Sequence, residues 1–391
     1  IGMSALARYF NTQGVHVSGY DKTPTVLTDD LVKEGIQIHF EDDLNQMDKA
    51  ATVIVYTPAI PADHGELNYY RDHGYNVVKR SDVLQWVTEN AFTIGIAGTH
   101  GKTTTTSMLA VAIQECGVDP SFAIGGTPND SNSNSHHGTG DIFIAEADES
   151  DSSFLVYNPF GAIITNVEID HVDHFSSKEQ LHQTFLEFIK STKEFLVICI
   201  DDHGGREIAK LAKELRLNLI TYGESEIAQM RISHISTSAL GSFFRVTWQG
   251  IVLGEVALNI PGKHNVLNAT AALGAGIALG LNPNQLILGL SKFQGVRRRF
   301  ELKGIVKNIR VFDDYAHHPT EVSATIATAR DVVEQGKIIV IFQPHRYSRT
   351  LAFAEGFAES LSTADQVILL DIYGAGEESI PGASSSVIAK Q

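Results

Sequence analysis

Over the first ninety residues, short apolar runs alternate with stretches whose apolar positions recur every three or four residues. MSALARYFNTQG carries an amphipathic helical pattern closed by Gly14, and VHVSGYD reads as a strand ending at Asp21. LTDDLVKEGI and HGELNYYRDHG read as helices, and ATVIVYTPAI between them as a buried strand. This alternation predicts a parallel sheet with crossover helices, an α/β fold.

A second α/β unit begins at FTIGIAG: strand 93–97, a loop, then helix 102–115. IFIAEADESD and GAIITNVEIDH are further buried strands that run out into acids, KEQLHQTFLEFIKST is helical, and EFLVICIDD is a strand. From about 228 to 260 the period changes to two, predicting antiparallel strands with a hairpin turn at Gln249-Gly250. KHNVLNATAALGAGIALG is a helix rich in small residues. A third unit carries strand 310–313, helix 319–335, strand 337–342, helix 351–361 and strand 366–371. The polar stretch 125–140, GGTPNDSNSNSHHGTG, reads as a mobile surface loop.

Composition narrows the function classes. The 391 residues are 43% hydrophobic and 19% charged, the balance of a globular chain of two or three domains. A net charge of -16 argues against general nucleic-acid binding, which needs a basic surface. Two isolated cysteines, Cys116 and Cys199, offer neither a disulfide framework nor zinc spacing. No apolar run is long enough to cross a bilayer as a helix, so membrane insertion is not expected and a cytoplasmic setting is. IGMSALARYF lacks both an initiator Met and a signal-peptide layout, and SSSVIAKQ stops mid-pattern; both termini read as truncated.

The chemistry gathers at strand ends. GTHGKTTTT sits between a buried strand and a helix, but it is not the standard phosphate loop, whose first glycine would fall on Ile96. The physics of such a loop is still present. Gly98, Thr99, His100 and Gly101 can bring backbone N–H groups to an anion, Lys102 adds charge, and Thr103 and Thr104 follow. Glu146, Asp148, Glu149 and Asp151 crowd one strand end and suit Mg²⁺. Asn166, Glu168, Asp170, His171 and Asp173 crowd another, where a His among acids suits a second metal. His264, Asn265 and Asn268 open the small-residue helix, as base readers or caps. Arg298 and Arg299 suit phosphate or ribose. Asp313, Asp314, Tyr315, His317 and His318 end one strand of the third unit. His345, Arg346 and Arg349 end another, and two arginines there make a carboxylate clamp.

In order and spacing, GTHGKTTTT, EADESDSSF, TNVEIDHVD, GKHNVLNATAAL, RRRFE, DDYAHHPTE and PHRYSRT resemble the Mur ligase family over nearly the whole chain. The resemblance implies three domains: a Rossmann-like UDP-binding domain over 1–90, a central ATPase over 91–298 and a C-terminal Rossmann-like domain over 299–391. It implies ATP-driven amide formation in peptidoglycan synthesis. Ser150 in the acidic motif and the Tyr-Ala-His-His and Arg-Tyr-Ser-Arg loops point to the member joining L-alanine to UDP-N-acetylmuramate. By this resemblance Lys102 and the loop hold ATP, and Thr103 and Glu146 hold Mg²⁺. His171 takes a second Mg²⁺. Asn268 contacts adenine, Arg298, Arg299 and Asp314 the ribose and phosphates, and His317 approaches the phosphates. Tyr315 bounds the amino-acid pocket, with Arg346 and Arg349 on the alanine carboxylate. Gly2, Ser4, Asp21 and Arg80 remain from the UDP-sugar site, as does the YTPAI loop.

The chain also departs from its sister ligases. Several of them carry a carbamylated lysine after the metal-binding His; here the matching offset falls on 185–188, and Lys190 is the nearest lysine. Rival readings are a murein-peptide recycling ligase, whose acidic motif usually has Tyr at the Ser150 position, and a folate polyglutamate ligase, which lacks the first ninety residues. A non-catalytic nucleotide switch or scaffold is a third. The oligomeric state is open.

Overall fold

The computed structural model describes residues 2–57, 60–89, 91–129, 133–149, 153–170, 175, 177–333 and 335–391. Its centre is one ten-stranded sheet. Across it run Ile251–Leu258, Gly241–Trp248, Met230–Ser238, Asn218–Gly223, Phe195–Cys199, Gly161–Ile164, Phe92–Ala97, Ile142–Glu146, Ser121–Ala123 and Ser135–His136. The strands from Asn218–Gly223 to Ser121–Ala123 run parallel. Their residues are almost all buried, as expected for strands covered on both faces by crossover helices. One face packs against helices Lys102–Glu115 and Lys263–Ala278, with Ile94, Met108, Ile163 and Leu273 in its core. The other face packs Phe154, Phe185, Phe188 and Ile198 around helix Lys178–Ser191.

Met230–Ser238 still pairs in parallel with Asn218–Gly223; beyond it the sheet turns antiparallel, as the period-2 pattern predicts. The turn between Trp248 and Ile251 holds Gln249 at φ 48° and Gly250 at φ 87°, the left-handed pair a tight hairpin needs.

The flanking units are smaller. Before the large sheet lie two parallel pairs, Ser18–Tyr20 with Gln37–His39 and Val53–Tyr56 with Asn76–Lys79. The strand expected to be buried in ATVIVYTPAI is only half covered, with Val53 39% exposed. Each strand of a two-stranded sheet is an edge, so neither is shielded on both sides. Pro58 and Ala59 of YTPAI lie outside the described residues. After the large sheet, Ile339–Phe342 pairs in parallel with Gln366–Leu369 over a core of Val322, Ile326, Phe342 and Phe357. The sequence reading did not foresee Glu301–Val306. It forms a hairpin with Ile309–Asp313 through Lys307 and Asn308, both at positive φ. Helix 351–361 is in fact two, Tyr347–Ala352 and Ala354–Leu361.

The expected mobile loop 125–140 is corrected in part. Ser135–His136 pairs with Ser121–Ala123, and Asn134 is wholly buried. Asn134 accepts a hydrogen bond from Arg8 Nη1 at 2.7 Å and donates to Ser4 Oγ at 3.2 Å. A polar run is held in place here because its amide partners are brought by another part of the chain. Residues 130–132 lie outside the described residues.

Candidate active site

Strand Phe92–Ala97 runs between Gly161–Ile164 and Ile142–Glu146, so its loop opens where parallel strands end and ligands collect. Ile96 is fully buried in that strand, paired with Glu146 on one side and Ile163 on the other. The position of a standard first glycine is therefore spent on the sheet, and the loop proper starts at Gly98. Gly98 and Gly101 have φ 124° and 85°. A Cβ at Gly98 would sit 2.1 Å from Thr165 Oγ1, and one at Gly101 2.5 Å from Asn268 Oδ1. Gly101 caps helix Lys102–Glu115 without a side-chain bond, leaving first-turn N–H groups for an anion.

Lys102 is held at the mouth of this loop. Its Nζ donates to the Gly98 carbonyl at 2.7 Å and to Glu149 Oε2 and Oε1 at 2.7 and 3.0 Å. Burial alone would depress its pKa, but Glu149 and Asp148 outweigh burial and raise it, so the ammonium stays charged. Glu146 accepts from the Gly125 N–H at 2.7 Å. Burial pushes its carboxyl pKa up, against the Gly125 amide, Lys102 and the Thr103 hydroxyl. Glu146 and Thr103 thus place oxygen donors together beside the helix N-terminus, a donor set that fits Mg²⁺.

A cleft of about 390 Å³ runs from the loop past Asn268 to Arg299, Asp314 and Glu321. His100, Gly101, Thr103 and Thr104 line its near end. Asn268 is buried against the loop, and Asn265, which also lines the cleft, donates to Pro261 O at 2.7 Å. Asp314 is fixed by the Phe300 and Ala316 N–H groups, both at 2.7 Å.

The far wall is organised by Glu321, which the sequence reading did not single out. Glu321 Oε1 lies 3.3 Å from His100 Nδ1 and 3.7 Å from Arg299 Nη1. Its Oε2 accepts from the His317 N–H at 3.0 Å. Burial opposes the charge on Glu321, but His100 and His317 hold its pKa well below the usual range. The imidazole of His100 is raised to about 9: Glu168 and Glu321 outweigh its burial. The available signal was an acid four residues after His317 at a helix start, which puts it on the same face.

Arg299 lines the cleft, as do Asn166, Glu168 and His264, while the remaining candidates sit around it. Arg298 and Arg299 stack over the Tyr315 ring at 4.6 and 5.6 Å. His317 lies beside it, with ring centres 4.9 Å apart. Arg349 does not present a free fork to a carboxylate: its fork is bonded to buried Asp170. Arg346 Nε lies 2.8 Å from Glu377 Oε1. Gly2, Ser4, Asp21 and Arg80 do not line the cleft. Gly2 opens helix Gly2–Thr12, Ser4 faces Asn134, Asp21 accepts from the Thr23 N–H, and Arg80 opens helix Arg80–Glu89. His171 and Ser150 lie outside the described residues. Where sister ligases place their lysine, Phe185 and Phe188 are core residues, and Lys190 faces solvent.

Over 390 residues the chain is 43% identical to a UDP-N-acetylmuramate–L-alanine ligase of Acidothermus cellulolyticus, covering 99% of this chain and 82% of that protein. The chain belongs to the Mur ligase family. Models of the family match residues 1–91 (catalytic domain), 96–276 (middle domain) and 298–391 (glutamate ligase domain). A Mycobacterium tuberculosis Mur ligase, also named UDP-N-acetylmuramate–L-alanine ligase, is 42% identical over 420 residues, covering all of this chain and 83% of its own. The crystal structure of the Thermotoga maritima UDP-N-acetylmuramate–alanine ligase MurC superposes with a TM-score of 0.84. It is 29% identical, and the match covers 96% of this chain and 84% of that one. A Psychrobacter arcticus murein peptide ligase superposes at 0.75, with 26% identity and coverage of 99% and 85%. In this Mur ligase, then, the ten-stranded sheet and the Gly98–Lys102 loop belong to the middle domain.

Proposed function

We infer that this chain is an ATP-dependent ligase that joins L-alanine to the carboxylate of UDP-N-acetylmuramate, a step of peptidoglycan precursor synthesis. The observation that carries the reading is the loop: an uncapped helix N-terminus with charged Lys102 beside it, at the head of a cleft. Lys102 exchanges the Gly98 carbonyl and Glu149 for phosphate oxygens when ATP enters. The muramoyl carboxylate attacks the γ-phosphorus, ADP leaves, and an acyl phosphate results. The amine of alanine then attacks the acyl carbon, and inorganic phosphate departs with the electron pair of the broken C–O bond. Thr103 and Glu146 would hold Mg²⁺, whose charge would offset the repulsion between the two anions that must meet. His171 is our candidate for a second cation, Asn268 for the adenine, and Arg299 with Asp314 for ribose or phosphate. Arg298 and His317 stand beside them. Tyr315, Arg346 and Arg349 are the candidates for the alanine pocket, and Gly2, Ser4, Asp21 and Arg80 for the UDP-sugar.

The test is phosphate release from ATP, Mg²⁺ and UDP-N-acetylmuramate, with L-alanine or the L-Ala-D-Glu-diaminopimelate tripeptide as acceptor. Release that needs free alanine supports the reading. Release only with tripeptide transfers the chain to the recycling ligases, and ATP turnover indifferent to both acceptors sinks the ligase reading.

A further inference from the structure

Beside the phosphate loop lies a second group of ligand atoms that the ligase reading leaves unused. One ligand atom each from His100, Glu168 and His318 fall within 4.8 Å of one another. His100 Nε2 and Glu168 Oε2 are 3.5 Å apart. That is close to the roughly 3.3 Å separating two ligands of a tetrahedral ion with ~2.0–2.1 Å bonds. Nε2 of His100 and Nε2 of His318 are both buried without a hydrogen-bond partner. A buried ring nitrogen without a partner costs free energy; His318 Nε2 is such an atom, and His100 Nε2, on the adjacent ring with centres 4.8 Å apart, has only the Glu168 carboxylate at 3.5 Å.

We propose that His100, Glu168 and His318 form a three-ligand site for a divalent transition-metal ion of the Zn²⁺ type, which ties the C-terminal domain to the nucleotide loop. Two imidazoles and one carboxylate suit Zn²⁺ or Co²⁺ rather than Mg²⁺, which asks for oxygen. The surrounding shell is that of a metal site. His100 Nδ1 faces Glu321 Oε1 at 3.3 Å, the carboxylate–histidine arrangement that orients a ligating imidazole. Glu168 Oε2 accepts from the Thr320 hydroxyl at 2.6 Å. The ligand set shares no residue with Thr103 and Glu146.

Binding replaces a proton: His100 ligates as the neutral ring, and its Nε2 proton leaves to solvent. To ligate through Nε2, His318 shifts its ring proton from Nε2 to Nδ1, which then no longer accepts from the Thr320 N–H at 3.4 Å. A water molecule completes the fourth position. Since His100 belongs to the loop and His318 to the third unit, the ion holds the cleft shut.

The test is a Co²⁺ titration of the chelator-treated full chain, without Mg²⁺, nucleotide or sugar, read by visible absorption. It does not depend on the ligase reading. The expected result is the absorption of four-coordinate Co²⁺, saturating at one equivalent and displaced by Zn²⁺. It is lost in Glu168→Gln and His318→Ala and kept in Glu146→Gln. Should His318→Ala not fold, His318→Asn reads the same point. No saturating band overturns the proposal. So does a band that survives the His318 and Glu168 variants, one removed only by His171→Ala, or a thiolate charge-transfer band from Cys199.

Discussion

Asp170 and Arg349 meet as a two-pronged ion pair sealed from solvent. Arg349 Nε and Nη2 reach Asp170 Oδ1 at 3.1 and 2.9 Å, and Nη2 reaches Oδ2 at 3.1 Å. Both side chains are about 5% exposed, and the pair joins the middle domain to the C-terminal one. Removing one buried partner strands the other. Asp170→Ala is therefore expected to lose about 3–5 kcal/mol, whereas Asp170→Leu with Arg349→Met loses much less. A double-mutant cycle in guanidinium unfolding reads the difference; additive losses would show that the pair is not coupled.

The same arginine remains our candidate for the amino-acid carboxylate, for which its fork would exchange Asp170. Arg349→Lys keeps the charge but loses the fork, so the alanine KM should rise tenfold or more while the ATP KM stays put. Equal rises in both would place Arg349 on phosphate.

Lys102→Met should remove ATP-dependent phosphate release by a factor of at least about 10²–10³, the usual scale for one preorganised charge at a reacting group. Near-normal release by Lys102→Met would falsify the assignment of the loop.

Gly101→Ala is a sharper probe of the loop than any polar change. It meets a positive φ and an Asn268 oxygen 2.5 Å from the new Cβ. ATP affinity measured by calorimetry should drop strongly while the alanine KM shifts little. Retained affinity would mean that the loop reshapes freely.

Acid should loosen the fold through histidines held neutral. Burial, then Arg299, pushes His264 from 6.5 down to about 4; burial, then His317 and Arg349, does the same to His345. Between those values the unfolded chain binds more protons than the folded one. The share of stability from these two histidines is thus full above about pH 6.5 and is lost as pH falls toward 4. The melting temperature should fall between pH 6.5 and 4.5, and by less in His264→Asn. An identical pH slope in that variant would clear His264 of the effect.

The sequence carried the middle of the molecule well and its seams poorly. Helix 102–115 matches to the residue because Gly101 marks its start and the strand before it is uniformly apolar. The Gln249-Gly250 turn was legible because the period changes on both sides of it. The residues that join domains were not. Arg8, Asn134, Asp170 and Glu321 are ordinary polar residues until distant segments meet, and no local period encodes such a meeting. For the same reason Arg349 read as an open clamp: its partner stands in a different motif. The hairpin Glu301–Val306 was hidden because Lys307-Asn308 lacks the glycine that usually announces a tight turn.

The ten-stranded sheet also sets an order of assembly. Its antiparallel part is built from neighbours: Trp248 pairs with Ile251, across a turn of two residues. Its loop-bearing strand has no such neighbour, since Ile94 pairs with Gly161 and Phe92 with Ile142. Loop closure must be paid before distant pairings are rewarded, so the hairpins form early and Phe92–Ala97 docks late. During refolding, hydrogen-exchange protection should reach Phe243–Val246 before Ile94–Ile96. The Gly98–Lys102 turn is then among the last parts shaped, and a chain that stalls in folding stalls without it.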